Sequence, residues 1–184
     1  MIDKKFESLN IENVVASGAI ADSIDLDIVA NTLENCKLNK RRFPGAVYRI
    51  EKPKGVALIF SSGKIVLTGF RNPEALTDGL ARVTKSLKTA GIETLKEPKV
   101  TITNMVCSYN LGRTINLNKM VIALNVENVE YEPEQFPGLV YRVRDPNIVV
   151  LLFSSGKIIL TGGKNLEEIK KGVDILEQKL KSIM

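Results

Sequence analysis

The chain has no histidine and no tryptophan, and only two cysteines among its 184 residues. Without histidine, Ser-His-Asp and Cys-His nucleophilic sites cannot be assembled, and histidine metal sites are excluded. Cys36 and Cys107 are far apart and lack metal-ligand spacing. They read as reduced thiols in or near the core of an intracellular protein. No apolar run approaches the roughly 20 residues that cross a bilayer. The opening MIDKKFESLN has no apolar stretch of the secretory kind. The carboxylates are scattered, with no pair placed for acid–base work. No enzyme, cofactor, metal or membrane association is therefore expected.

What is present is a repeat. FSSGKIVLTG at Phe60–Gly69 returns as FSSGKIILTG at Phe153–Gly162, differing only at Val66 against Ile159. At the same constant offset FPGAVYRI matches FPGLVYRV, Pro53 matches Pro146, Asn72 matches Asn165 and Gly79 matches Gly172. Upstream, IENVVAS matches ITNMVCS, with two extra residues in the second copy before its FPG. The copies are placed at 1–94 and 95–184. Two units are too few for a solenoid and point to a pseudo-twofold pair.

Each copy reads as strand, short helix, three strands and long helix. The first strands are Val14–Ser17 and Met105–Ser108. The short helices are placed at 25–33 and 117–125. Strands follow at Ala46–Glu51, Val56–Ser61 and Lys64–Thr68, and at Leu139–Arg144, Ile148–Ser154 and Lys157–Thr161. Ser62-Gly63 and Ser155-Gly156 suit hairpin turns that need a positive φ. Asn72 and Asn165 are N-cap candidates, with Pro73 at a first helical position. Leu166, Ile169, Val173, Leu176, Leu180 and Ile183 recur at helical spacing and form one core-facing stripe.

The strands are apolar on both sides. Val56, Leu58 and Phe60 alternate with Ala57 and Ile59; Val66 and Thr68 alternate with Ile65 and Leu67. The second copy repeats this with Val149, Leu151 and Phe153, and with Ile159 and Thr161. A long helix can cover one face, and no second long helix is available for the other. Either the two sheets pack face to face and bury it, or it is an apolar binding surface.

The second face also carries Thr68 and Thr161, Asn13 and Asn104 at the first strands, and the pairs Phe43/Phe60 and Phe136/Phe153. Lys64, Lys157, Arg49 and Arg142 flank it. A flat apolar sheet with few polar groups, end phenylalanines and a basic rim suits a widened DNA minor groove. That groove shows mainly acceptors on A·T pairs and an amino group on G·C pairs. Phenylalanines can wedge between base steps there. The net charge of +5 permits such a partner.

With its duplicated FPG-x-VYR and L-x-F-SSGK-x-x-LTG pattern, the chain resembles the TATA-binding proteins over about residues 8–182, in the short archaeal form. That family is itself a standard example of DNA kinked through the minor groove. The resemblance implies an α+β fold: a pseudo-twofold saddle of two tandem repeats, a curved antiparallel sheet with helices on its convex face. It implies a general transcription initiation factor that binds and bends A·T-rich promoter DNA, intracellular and associated with the chromosome. By position, Asn13, Asn104, Thr68 and Thr161 would hydrogen-bond base acceptors. Val15, Leu58, Val66, Val106, Leu151 and Ile159 would touch the groove floor. Phe43 with Phe60, and Phe136 with Phe153, would wedge the ends. Arg49, Arg142, Lys64, Lys157, Ser62 and Ser155 would meet phosphates.

The copies differ most just before FPG, where KLNKRR carries Lys37, Lys40, Arg41 and Arg42 and ENVEYEPEQ carries Glu127, Glu130, Glu132 and Glu134. An acidic loop is a poor phosphate contact and a good site for a basic partner. The resemblance implies that transcription factor B docks there, at Tyr131, Glu132 and Glu134, and brings RNA polymerase indirectly. A homodimer of the free protein through its apolar face is a further expectation. The competing class is a protein-interaction scaffold that grips partner helices without binding DNA. SSGK faintly resembles a phosphate loop, but it lacks the leading glycine and the following Ser/Thr, and it reads as a hairpin turn.

Overall fold

The computed structural model describes residues 4–124 and 126–182. The chain forms two compact units, one of residues 13–103 and one joining the residues before 13 to those from 104 onward. The first contains most of β1 (Asn10–Ala19), then α1 (Leu26–Thr32), β2 (Cys36–Leu38), β3 (Ala46–Ile50), β4 (Gly55–Ile59), β5 (Lys64–Phe70) and α2 (Pro73–Thr89). The second contains most of β6 (Lys99–Asn110), then α3 (Leu117–Ala123), β7 (Val129–Glu130), β8 (Leu139–Val143), β9 (Ile148–Leu152), β10 (Lys157–Gly163) and α4 (Leu166–Lys181). Strand order is β2-β3-β4-β5-β1 in one and β6-β10-β9-β8-β7 in the other, with antiparallel pairing along each meander.

Local chemistry sets these boundaries. Asn72 Oδ1 accepts from Ala75 N at 2.7 Å and Pro73 opens α2, as expected from the sequence. Asn165 caps α4 through Glu168 N at 2.9 Å. Asp25 and Asn116 cap the two short helices in the same way. The hairpin glycines have φ of 78° at Gly63 and 84° at Gly156. A Cβ at either would lie 1.9 Å from a carbonyl oxygen, Ala21 O or Arg113 O, so no side chain fits.

The alternation read from the sequence is the burial pattern. Ala57, Ile59, Ile65 and Leu67 are fully buried, as are Val150, Leu152, Ile158 and Leu160. Val83 and Leu87 of α2, and Ile169, Val173 and Leu176 of α4, cover them. Each such Val, Leu or Ile side chain contributes about 1.5–3 kcal/mol relative to exposure. The copies fill one core position by opposite means. In the first, the Phe70 ring occupies the space that a Cβ on Gly55 or Gly79 would need, at 2.3 and 2.4 Å. In the second, Phe70 is replaced by Gly163 and Gly55 by Ile148, and the Ile148 side chain fills the space.

Three expectations need correction. Leu166, the first residue of α4, is exposed rather than core, and burial on this helix begins at Ile169; Ile183 lies outside the described residues. The hairpin strands stop before Phe60 and Phe153, because Phe60 N with Lys64 O and Phe153 N with Lys157 O already close the turns. The edge strands β2 and β7 were not expected, being too short to show a period. Asn125, the last residue of the expected second short helix, is outside the described residues.

Candidate nucleic-acid interface

Strand pairing carries the parity argument across each sheet. Arg49 pairs with Val56 and Val56 with Thr68; Lys37 pairs with Val47, Val47 with Leu58, Leu58 with Val66 and Val66 with Ser17. In the other unit Arg142 pairs with Val149, Val149 with Thr161 and Thr161 with Val106. Glu130, Val140, Leu151, Ile159 and Ser108 form the second row. These rows lie on the face away from the helices. Val15, Leu58, Val66, Thr68 and their counterparts Val106, Leu151, Ile159 and Thr161 are all half-buried, so none of them is fully covered by the described residues.

The polar groups on this face are oriented by the backbone. Asn13 Oδ1 accepts from Gly69 N at 2.7 Å, and Asn104 Oδ1 accepts from Gly162 N at 2.7 Å. Those bonds fix which end of each amide is the donor. The Nδ2 groups then donate to Thr68 Oγ1 and Thr161 Oγ1, both at 3.2 Å. Among the described residues the second Nδ2 hydrogen of each asparagine has no partner, and the Thr161 hydroxyl in turn donates to Asn104 Oδ1 at 3.3 Å. Gly69 and Gly162 have φ of 84° and 103° and sit where the pairing register shifts. Sequence reasoning gave these glycines no role; a glycine inside a strand pattern is the signal for such a bulge.

The ring pairs form as expected. Phe43 and Phe60 have centroids 5.6 Å apart at 64°, and Phe136 and Phe153 lie 5.8 Å apart at 69°. Edge-to-face contact is a favoured aromatic geometry. The FPG glycines make room: a Cβ at Gly45 or Gly138 would come within 2.8 or 2.7 Å of a ring carbon. Phe136 is 39% exposed and the other three rings are half-buried. A hollow of about 660 Å³ beside Phe60 is lined by Pro44, Ser62, Lys64 and Val66. Ser62, Ser155, Lys64, Lys157, Arg49 and Arg142 are exposed at the turns and strand margins.

The loops before FPG are both exposed, and they keep opposite charge. Lys40 pairs with Asp27 at 2.8 Å. Glu132 and Glu134 point to solvent, and Tyr131 beside them is half-buried. Glu132 O receives Gln135 N and Phe136 N, so the loop is a compact turn.

Cys36 and Cys107 are free, and burial pushes the Cys107 thiol up to about 11, aided by the nearby Glu12 carboxylate. It is no nucleophile. Among the described residues no group of three acidic or sulfur ligands is placed to hold a metal, and no helix is long and apolar enough to cross a membrane.

The family model described as transcription factor TFIID, or TATA-binding protein, matches residues 8–90 and again 99–183. The chain is 46% identical to TATA-box-binding protein 1 of Methanosarcina acetivorans over 94% of both chains. It is 47% identical to the TATA-box-binding protein of Methanothrix thermoacetophila over 96% of this chain and 97% of that one. The solved structure of the Methanococcus jannaschii protein superposes with a TM-score of 0.86 at 45% identity, covering 95% of this chain and 99% of that chain. With the repeat, the α+β antiparallel fold and these matches in agreement, the chain belongs to the TATA-binding protein family of transcription factors and is not an enzyme.

Proposed function

We propose that this protein binds A·T-rich promoter DNA through the minor groove, bends it, and recruits transcription factor B, through which RNA polymerase is brought to the chromosome. The observation that carries the reading is the Asn–Thr pair in each copy. Asn13 with Thr68, and Asn104 with Thr161, offer outward donors within an otherwise apolar, half-open face. Donors match the acceptors of A·T pairs, and the surrounding Val and Leu side chains leave no partner for a guanine amine. The two copies would read the two halves of a near-symmetric site. Phe43/Phe60 and Phe136/Phe153 would enter base steps at its ends, and Arg49, Arg142, Lys64, Lys157, Ser62 and Ser155 would hold phosphates.

The acidic turn at Tyr131, Glu132 and Glu134 would receive a basic surface of transcription factor B. In the free protein the apolar faces would pair in a homodimer, since an exposed patch of this kind is costly in water.

Binding to a duplex with a TATA-like A·T stretch and to a G·C-substituted control, across a salt series, tests the reading. Expected are strong preference for the A·T duplex and affinity that falls as salt rises. Equal affinity for both duplexes would overturn it and move the open face to a protein partner.

A further inference from the structure

The two copies place different charges at one equivalent position on the open face. Lys37 pairs with Val47 in β3, and Glu130 pairs with Val140 in β8. Two residues further along the same face stand Arg49 and Arg142. In the second copy Arg142 Nε donates to Glu130 Oε1 at 3.2 Å, and both side chains are more than half exposed. In the first copy, among the described residues, no ion pair engages Arg49 or Lys37. The first copy thus presents two like charges with no anion between them. The second presents an arginine that already has its carboxylate.

We propose that Glu130 restrains Arg142 and that Lys37 reinforces Arg49, so that the first copy grips the DNA backbone more strongly than the second. This rests on the minor-groove reading above. A phosphate approaching Arg142 must displace Glu130 or share the guanidinium with it, and it meets the carboxylate's repulsion. A phosphate approaching Arg49 meets a second cation instead. Exposed ion pairs are weak enough to open, so the second contact is attenuated rather than abolished. The duplicated framework thereby gains a difference between its halves at a position outside the wedges and the Asn–Thr pairs.

The experiment is a salt titration of binding to the A·T duplex by the full chain, comparing R49Q, R142Q, E130Q, E130Q/R142Q and K37E. Each phosphate contact contributes about 0.9 to the slope of log K against log salt. R49Q should lose close to a full contact, and R142Q clearly less. E130Q should steepen the slope by up to about 0.9, which between 50 and 200 mM salt is about a threefold change in relative affinity. In the E130Q background, R142Q should then lose a full contact. K37E should mute Arg49 as Glu130 mutes Arg142. Circular dichroism melts of these surface variants separate charge effects from unfolding. Equal slope losses for R49Q and R142Q, unchanged by E130Q, would overturn the inference and leave the DNA reading intact. Absence of A·T-selective binding by the unaltered protein would overturn both.

Discussion

Asn13 donates to Thr68 Oγ1 across 3.2 Å, and Asn104 donates to Thr161 Oγ1 across the same distance. Each amide oxygen is held by a glycine N–H at 2.7 Å. Asn→Asp keeps an oxygen for that glycine and removes the donors. Asn13→Asp and Asn104→Asp should therefore fold and lose about tenfold or more in affinity for the A·T duplex, in line with the value of well-placed base contacts. Anisotropy titrations with a labelled duplex measure this. Undiminished binding by the double variant would show that these amides do not meet bases.

The phenylalanine pairs separate folding from bending. Phe60 and Phe153 are half-buried and each rests on one partner ring. Losing an edge-to-face contact costs about 0.5–1.5 kcal/mol beyond area. Phe60→Ala with Phe153→Ala should lower the melting temperature modestly and reduce the bend much more. Energy transfer between dyes at the duplex ends reports the bend. A normal bend in the double variant would remove the wedge role.

Much of this was legible in the sequence, because duplication tests each reading twice. Alternation in FSSGKIVLTG gave both faces of the hairpin, and Asn72, Asn165, Gly63 and Gly156 gave the caps and turns. The edge strands were not legible, since Cys36–Leu38 and Val129–Glu130 are shorter than one readable period. Nor were the roles of Gly69 and Gly162, because their N–H bonds to Asn13 and Asn104 span 56 and 58 residues. The Arg142–Glu130 pair was hidden for the same reason: register, not spacing, sets it.

The exchange of Gly55 and Phe70 for Ile148 and Gly163 gives a stability prediction. Gly55→Ile alone drives a side chain into the Phe70 ring, where even a Cβ would sit at 2.3 Å. Phe70→Gly alone leaves a cavity under α2, at a cost of about 3–5 kcal/mol or more. The double variant restores the second copy's arrangement and should recover a substantial part of the loss. Denaturant unfolding of both singles and the double gives the coupling; simple additivity would contradict the shared-space account.

Alkaline pH should weaken the unit that contains Tyr109. This ring is buried, and its hydroxyl donates to Glu177 at 2.8 Å. Burial first, then that bond, raises its pKa from 10.0 to about 12. Between those values the unfolded chain loses the phenol proton and the folded chain keeps it. The folded state then binds more protons, so stability falls as pH rises. Lys5 acts in the same direction: its hydrogen bond with Asp174 raises its pKa against a lowering by burial. Tyr109→Phe should flatten the decline above pH 10 by on the order of 1–2 kcal/mol, leaving the contributions of Lys5 and of Cys107, whose thiol is also raised. A decline of unchanged steepness in the variant would assign it elsewhere.

The acidic turn before the second FPG offers the sharpest separation of two activities. Glu132 and Glu134 are exposed, and neither makes an ion pair among the described residues. Their counterparts in the first copy are Asn39 and Arg41, so reversing their charge moves the second loop toward the first. Both residues lie in the loop between β7 and β8, outside the strands that carry Leu151 and Ile159. Glu132→Lys with Glu134→Lys should leave the melting temperature and the A·T preference in place, with DNA affinity equal or somewhat higher from the added positive charge. Recruitment of transcription factor B to the DNA complex should fall at least tenfold, because a basic partner would meet like charge. A supershift titration reads both quantities on one gel. Full recruitment with intact DNA binding would show that the partner docks away from this loop, and the opposite charges of the two loops would then need another use.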